Sequence, residues 1–244
     1  QNSELINEAK DLDIKIKFSY AVIVAHGYKK VKSATIGKLD KDKIDFENTE
    51  QIDCDSICVS GFWTPTVHLA SQSGNKLKFN DQIDAFIPDK SKQNEISVGA
   101  SNGTFTLKET LEDGFKKGFE VSKKITNNNN STSTPNSNES KKNSHDKFWC
   151  SPLPKGKNFK RFVDFQNDVA VSDIEVALRE GYRSIEHVKR YTTLGMATDQ
   201  GRTSNLNGLQ LVANVEKKIV PQVGHTTFRP PFTPITIGTI VGRE

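Results

Sequence analysis

Three cysteines in 244 residues, Cys54, Cys58 and Cys150, are too few and too unevenly spaced for a disulfide framework or a tetrahedral metal site. Their scarcity points to a reducing compartment, read here as the cytoplasm. A Gly-x-Gly-x-x-Gly fingerprint is absent, so the main phosphate-binding signature of a dinucleotide fold is missing from this stretch. No run approaches the roughly 18 consecutive apolar residues of a membrane span, and no charged-then-apolar leader opens the chain, so no membrane partner is expected. Neither sign of charge dominates: 34 Lys and Arg stand against 30 Asp and Glu, a balance of +4 that gives no argument for a nucleic-acid partner. The five histidines, His26, His68, His145, His187 and His225, show no zincin spacing, and neither Ser60-Gly61 nor Ser71-Gln72-Ser73 forms a nucleophile elbow. Hydrolase and metal chemistry are therefore not expected, and no catalytic residue is named. The chain starts at Gln1 and stops just after a β-like run, Ile235 to Gly242, so both ends read as cut from something longer.

What is present reads as an α/β chain with room for one large or two small domains. A helix over Leu5–Leu12 is followed by strands at Ile14–Phe18 and Ala21–Ala25, a turn at Gly27–Lys30 and a strand at Val31–Ile36. That order suits the closing half of a nucleotide-binding α/β domain. Gln51–Ser60 alternates and then turns continuously apolar, as a strand entering a buried sheet would, with Gly61 and Pro65 ending it. Lys76–Phe79 and Ala85–Ile87 read as a short hairpin. Ile96–Ala100 reads as a strand, Ser101–Thr104 as a tight turn and Leu107–Ile125 as a helix. Such a strand-turn-helix aims backbone N–H groups and a helix N-terminus at one spot, which suits an anion; the plainer reading is a glycine turn that only satisfies geometry. Trp63 and Trp149 are expected to anchor the core.

Thr126–His145 holds no large apolar residue and is rich in Asn and Ser, so it cannot offset its ordering entropy by burial and reads as a flexible insert. Beyond it, Ser172-Asp-Ile-Glu175 has the form of a capping box, Ile174, Val176, Ala177 and Leu178 give an apolar face, and Gly181 supplies a left-handed stop. Ser184 opens a second helix carrying Ile185, Val188 and Tyr191, which leads to a glycine turn at Gly195. Around that turn Lys189, Arg190, Thr192, Thr193 and Arg202 form the best phosphate-binding group in the chain. Lys189 and Arg190 serve equally well as favourable charges at a helix C-terminus. Thr226–Thr233 is stiffened by its prolines, so Arg229 stands on a rigid strut that either pins a cofactor or simply spaces two domains.

The capped helix pair and its glycine turn resemble the small module that holds a 2Fe-2S cluster in many flavoprotein amino-acid dehydrogenases. Laid over this sequence, the four ligand positions fall on Asp164, Gln166, Asp199 and Ser204, none of which is a thiolate. Hard oxygen and amide groups cannot replace all four soft sulfurs, so the module is expected to lack a cluster.

That departure, together with the wording FVDFQNDV, EHVKRYTTLGMATDQGRTSN and TTFRPPFTP and the earlier CDSICVSGFWTPTVHLASQSG, DAFIP and VGASNGTFTLKETLEDGFKKG, resembles the alpha-subunit family of heterotetrameric sarcosine oxidases. The resemblance runs along nearly the whole chain and fails only in the Asn-rich insert. It implies the C-terminal part of a two-dinucleotide-binding-domain oxidoreductase fold over residues 1–125, a low-complexity linker over 126–147, a cluster-less helical module over 148–216 and a link over 217–244 into a folate-binding aminomethyltransferase domain. It further implies beta, gamma and delta partner subunits and oxidative demethylation of sarcosine to glycine, with hydrogen peroxide and methylenetetrahydrofolate as the other products. The implied cofactors are NAD near Gly99, Asn102, Gly103 and Thr104, FMN at the interface with beta near Lys189, Arg190, Thr192, Thr193 and Arg202, FAD in beta, and tetrahydrofolate in the missing domain. An alpha subunit of a related amino-acid or opine dehydrogenase, and a non-catalytic assembly module, are the alternatives.

Overall fold

The computed structural model describes residues 4–40, 43–61, 63–126, 133–135, 137, 148–230, 233 and 235–243. They form two compact units, residues 1–60 with 150–159, and residues 61–149 with 160–244. Most of the Asn-rich insert falls outside the described residues.

In the first unit, helix α1 (Glu4–Asp11) precedes an antiparallel meander of β1 (Tyr20–Gly27), β2 (Val31–Asp40) and β3 (Lys43–Asp53). The turn at Gly27–Lys30 and both flanking strands lie where the alternation places them. The strand expected at Ile14–Phe18 does not form. The end of α1 uses its backbone instead, with Ile14 N–H donating to Ala9 O at 2.9 Å, and left-handed residues Asp13 and Ser19 bracket the segment. Gln51–Ser60 is likewise corrected: residues 51–53 end β3, whereas 54–60 are irregular and largely exposed. Beyond Asp53 the meander has ended, and among the described residues no strand pairs with 54–60. Ala34 and Ile44 are the buried apolar side chains of this sheet.

The second unit begins with α2 (His68–Gln72) and the hairpin of β4 (Leu77–Asn80) and β5 (Ala85–Pro88), as expected. Residues 96–98 stay unpaired, and Gly99–Asn102 forms a turn of 3-10 helix where a strand was expected to end. Helix α3 (Leu107–Thr126) follows and matches its expected range. Trp63 is 79% exposed and anchors nothing in this unit, while Trp149 is half-buried.

The helical part starts with the short hairpin β6 (Phe162–Asp164) and β7 (Val169–Ala170), which runs straight into α4 (Val171–Arg179). The cap of α4 lies two residues before the expected box. Asp173, not Glu175, reaches back, accepting the Ala170 N–H at 2.8 Å, and because Ala170 has only a methyl group the reciprocal half of a capping box is absent. β-Pairing holds Ala170 in extended backbone, and that fixes the start. Helix α5 (Ile185–Thr192) begins after Ser184 as expected, but Tyr191 faces outward and stacks on Tyr182 with ring centroids 4.8 Å apart. Helix α6 (Asn205–Glu216) packs on α4 and on α7 (Val220–Val223). The β-like run at the C-terminal end is a helical turn, α8 (Ile237–Val241), and no strand among the described residues pairs with it.

Every strand ladder among the described residues is antiparallel. The chain is α/β in content, and the parallel sheet of a dinucleotide fold is not among these strands. No helix among them is long and apolar enough to cross a membrane.

Ile174, Ala177, Val188 and Ala213 are fully buried and form the seam where α4, α5 and α6 meet. Leu194, 1% exposed, lies against Gly208 of α6, where a Cβ would come within 2.5 Å of Leu194 Cδ2. Truncating Leu194 to Ala is expected to cost about 2–5 kcal/mol of unfolding free energy in a denaturant titration, the range for a buried leucine.

Candidate functional site

Asp164, at the end of β6, is 2% exposed and its two carboxylate oxygens accept hydrogen bonds from both sides. Oδ1 accepts the N–H groups of Gln166 and Asn167 at 2.9 and 3.2 Å, closing the β6–β7 turn. Oδ2 accepts the Gly195 N–H at 2.8 Å and the Ser204 hydroxyl at 3.4 Å. Gln166 Oε1 in turn accepts from the Thr198 hydroxyl at 3.1 Å and the Asp199 N–H at 3.3 Å. Asp199 closes the next turn by accepting the Gly201 N–H at 3.0 Å and the Thr203 hydroxyl at 2.9 Å. The four residues singled out from the sequence, Asp164, Gln166, Asp199 and Ser204, thus belong to one region and hold it by direct hydrogen bonds. Among the described residues no group of three or more His, Cys, Asp or Glu could hold a metal ion.

The turn itself is built around an amide. A Cβ on Gly195 or Gly201 would fall within 2.1–2.2 Å of the Asn205 side-chain amide, and both glycines have positive φ, +66° and +73°. Asn205 therefore sits between two backbone segments that only glycine lets approach so closely.

On one side of this turn lies a groove lined by Glu186, Lys189, Arg190, Met196, Gln200 and Arg229. Lys189 is 5% exposed, and its Nζ donates to Thr227 O at 3.1 Å, the one acceptor it has among the described residues. Burial pushes its pKa down; Glu186 opposes this, and Arg229 and Arg190 add to it. Glu186 accepts the Thr227 N–H at 2.7 Å and pairs with Arg190 at 3.1 Å. Two residues of α5 thus grip both backbone polar groups of Thr227, and this holds the strut that carries Arg229. The Arg229 N–H donates to Gln200 Oε1 at 3.3 Å. Three cations to one carboxylate, one of the cations desolvated and short of acceptors, is an arrangement that takes an anion.

The five residues of the expected phosphate group do not all share this groove. Lys189 and Arg190 line it. The Thr192 hydroxyl closes the end of α5, donating to Val188 O at 2.8 Å and accepting the Leu194 N–H at 3.2 Å. Thr193 takes a left-handed φ of +65° as the helix cap, and its carbonyl accepts from Asn167 Nδ2 at 3.0 Å. Arg202 lines a different recess, beside His68.

At the other expected site, Gly99 N–H donates to Asp113 Oδ2 at 2.9 Å, and Asn102 ends the 3-10 turn. Gly103 has φ +87° and packs against Ile83 and Ile87 of the hairpin. Thr104 O accepts from the Thr110 hydroxyl at 3.1 Å, while Thr106 and Glu109 cap α3 with their own side chains. The chain's own groups occupy much of this helix N-terminus.

Glu186 was legible as the i,i+4 partner of Arg190. Asp164, singled out above only as a cluster-ligand position, acts on Gly195 and Ser204, 31 and 40 residues away, and Gln200 acts on Arg229, 29 residues away, and nothing local marks those roles.

Asp164→Asn would set an amide N–H against the Gly195 N–H and Ser204. It is expected to lower stability by about 1–3 kcal/mol in a denaturant titration, with Ser204→Ala costing less.

Comparison with known proteins adds the family. A family profile described as "Sarcosine oxidase A3 domain" matches residues 158–243, the stretch that contains the Asp164 network and the groove. The chain is 37% identical over 201 residues to "Sarcosine oxidase subunit alpha" of Rhizobium meliloti (strain 1021), covering 80% of this chain and 20% of that protein. It is 30% identical over 223 residues to the subunit of the same name from Corynebacterium sp. (strain P-1), covering 87% and 22%. Among solved structures, L-proline dehydrogenase from P. horikoshii superposes with a TM-score of 0.65 at 19% identity, over 98% of this chain and 48% of that one, a likeness of fold. The chain is thus a relative of the sarcosine oxidase alpha subunits, matched along a segment about one fifth of their length.

Proposed function

We propose that this chain works as part of the alpha subunit of a flavin-dependent complex that oxidises sarcosine to glycine, yielding hydrogen peroxide and 5,10-methylenetetrahydrofolate. Its own contribution is binding and assembly. Beta, gamma and delta subunits complete the complex, which works in the cytoplasm, and bound flavin and nicotinamide groups supply the redox chemistry. In this reading residues 1–125 close the dinucleotide-binding region, with NAD against Gly99–Thr104, residues 148–216 form the cluster-less module after the 126–147 linker, and 217–244 lead to a folate-binding domain.

One observation carries the reading. The groove of Lys189, Arg190 and Arg229 lies in the stretch that matches the A3 domain, and it combines a buried, under-partnered ammonium with two guanidinium groups. A phosphate monoester such as that of FMN fits this donor set: Lys189, Arg190 and Arg229 would hold it by charge-assisted hydrogen bonds. Because Glu186 and Lys189 also grip Thr227, a phosphate held by Lys189 would be tied to the same helix as the strut. Thr192 and Thr193 contribute by shaping the end of α5, and Arg202 stands apart, in the second recess.

The complete complex, purified with its partner subunits, is expected to consume oxygen on sarcosine; turnover on proline with no response to sarcosine would sink this reading. Arg190→Ala and Arg229→Ala should each weaken FMN retention at least about tenfold, the cost of one charge-assisted contact. Unchanged flavin content in both variants would return these residues to a purely structural role. Iron and acid-labile sulfide assays on the complex are expected to find no cluster belonging to this subunit, and stoichiometric iron held by residues 164–204 would contradict the ligand argument.

A further inference from the structure

The sequence holds a single methionine, Met196, directly after Gly195 in the turn that Asp164 and Asn205 fix. Its backbone is tied down, with the N–H donating to Thr193 O at 3.1 Å. Its side chain is not enclosed. Met196 is 49% exposed, more than the backbone of one residue can present, so the thioether chain is open to a dissolved oxidant. It also lines the cationic groove, together with Lys189, Arg190 and Arg229.

That setting gives oxidation of this sulfur a consequence. Lys189 Nζ has Thr227 O as its one acceptor among the described residues, and the cations of the groove face Glu186 as their only lining carboxylate. A thioether is a weak acceptor and leaves those N–H groups to an incoming anion. A sulfoxide is polar and accepts hydrogen bonds but donates none, so it competes for the same N–H groups and offers nothing to a phosphate. The side chain is unbranched with three rotatable bonds, so a fixed backbone still lets a new oxygen swing to a cation on the same lining.

We propose that Met196 is a peroxide-oxidised switch on the cationic groove: as thioether it leaves the groove open to a phosphate, and as sulfoxide it takes up donors and weakens phosphate binding. The inference rests on the proposed function, which supplies both the peroxide and the anion. The step balances. A sulfur lone pair attacks one oxygen of hydrogen peroxide, the O–O bond breaks as the S–O bond forms, and the leaving hydroxide takes the proton from the oxygen now on sulfur. Sulfur loses two electrons, peroxide gains them, and one sulfoxide and one water result. Methionine sulfoxide reductases, one for each sulfoxide epimer, reverse the change.

The full chain labelled with carbon-13 at the methionine methyl carries one such signal, and inorganic phosphate is the probe. Phosphate is expected to shift that signal saturably. Excess hydrogen peroxide should then add one oxygen atom, which peptide mass mapping places on Met196; dithiothreitol returns oxidised Cys54, Cys58 and Cys150 to thiols and leaves a sulfoxide in place. The oxidised chain should bind phosphate about tenfold more weakly, the loss of one charge-assisted contact, and the two reductases together should restore the affinity. Met196→Leu, which has no sulfur to oxidise, should show the same affinity before and after peroxide. The proposal alone is overturned if Met196 takes up no oxygen, if the sulfoxide binds phosphate as tightly as the thioether, or if the leucine variant loses affinity by the same factor. No saturable phosphate binding before oxidation overturns the groove reading itself, and this switch with it. Should the leucine variant fail to fold, restoration of the wild type by the reductases decides.

Discussion

The Asp164 carboxylate accepts from its own turn and from Gly195 and Ser204, 31 and 40 residues along the chain. It is almost wholly buried, so it depends on those donors as much as they depend on it. A buried carboxylate with both oxygens doubly satisfied is one of the few ways a short loop can be fixed without a metal or a disulfide. Everything near the groove follows from it. The Gly195 N–H is tied to β6, Asn205 fills the gap that Gly195 and Gly201 leave, and Gln200 is pressed into a left-handed φ of +51° with its carbonyl turned to His68 and Asn205.

Gln200 then separates two recesses. Its side-chain oxygen faces the Arg229 N–H on the cationic side, and its carbonyl serves the aromatic side. Helix α5 supplies the other fixed wall through its grip on Thr227. A rigid turn and a clamped strut place three cations around one opening, which is what a binding element needs if chemistry is supplied by a cofactor and by partner subunits.

Much of this was readable in the amino-acid order. The hairpins at Gly27–Lys30 and between Leu77 and Pro88, the long helix from Leu107, the stop at Gly181 and the helix after Ser184 all rest on local signals, and all are present. Where the reading failed, a neighbour was missing or decisive. Ile14–Phe18, the Cys54–Ser60 part of Gln51–Ser60, and Ile96–Ala100 carry strand-like residues, yet no partner strand is alongside among the described residues, and Ile235–Gly242 forms the turn of α8 in the same situation. The α4 cap moved because pairing in β7 held Ala170 extended, a constraint from outside the helix. In the groove, Lys189 and Arg190 were found from charge and position, whereas the division that sends Arg202 to the other recess depends on how the Gly195–Ser204 turn folds. That fold is set by Asn205 within the turn and by Asp164 from 31 and 40 residues away, a distance in sequence that composition and periodicity do not reach.

The claim on which the account rests is that Asp164 locks the Gly195 turn, and the Gly195 amide proton reports on it directly. Native-state hydrogen exchange should show that proton opening only with global unfolding of the helical unit, as slowly as amides inside α6. Exchange at the rate of a solvent-exposed loop amide would show that the turn is not held by the carboxylate, and the account of both recesses would fall with it.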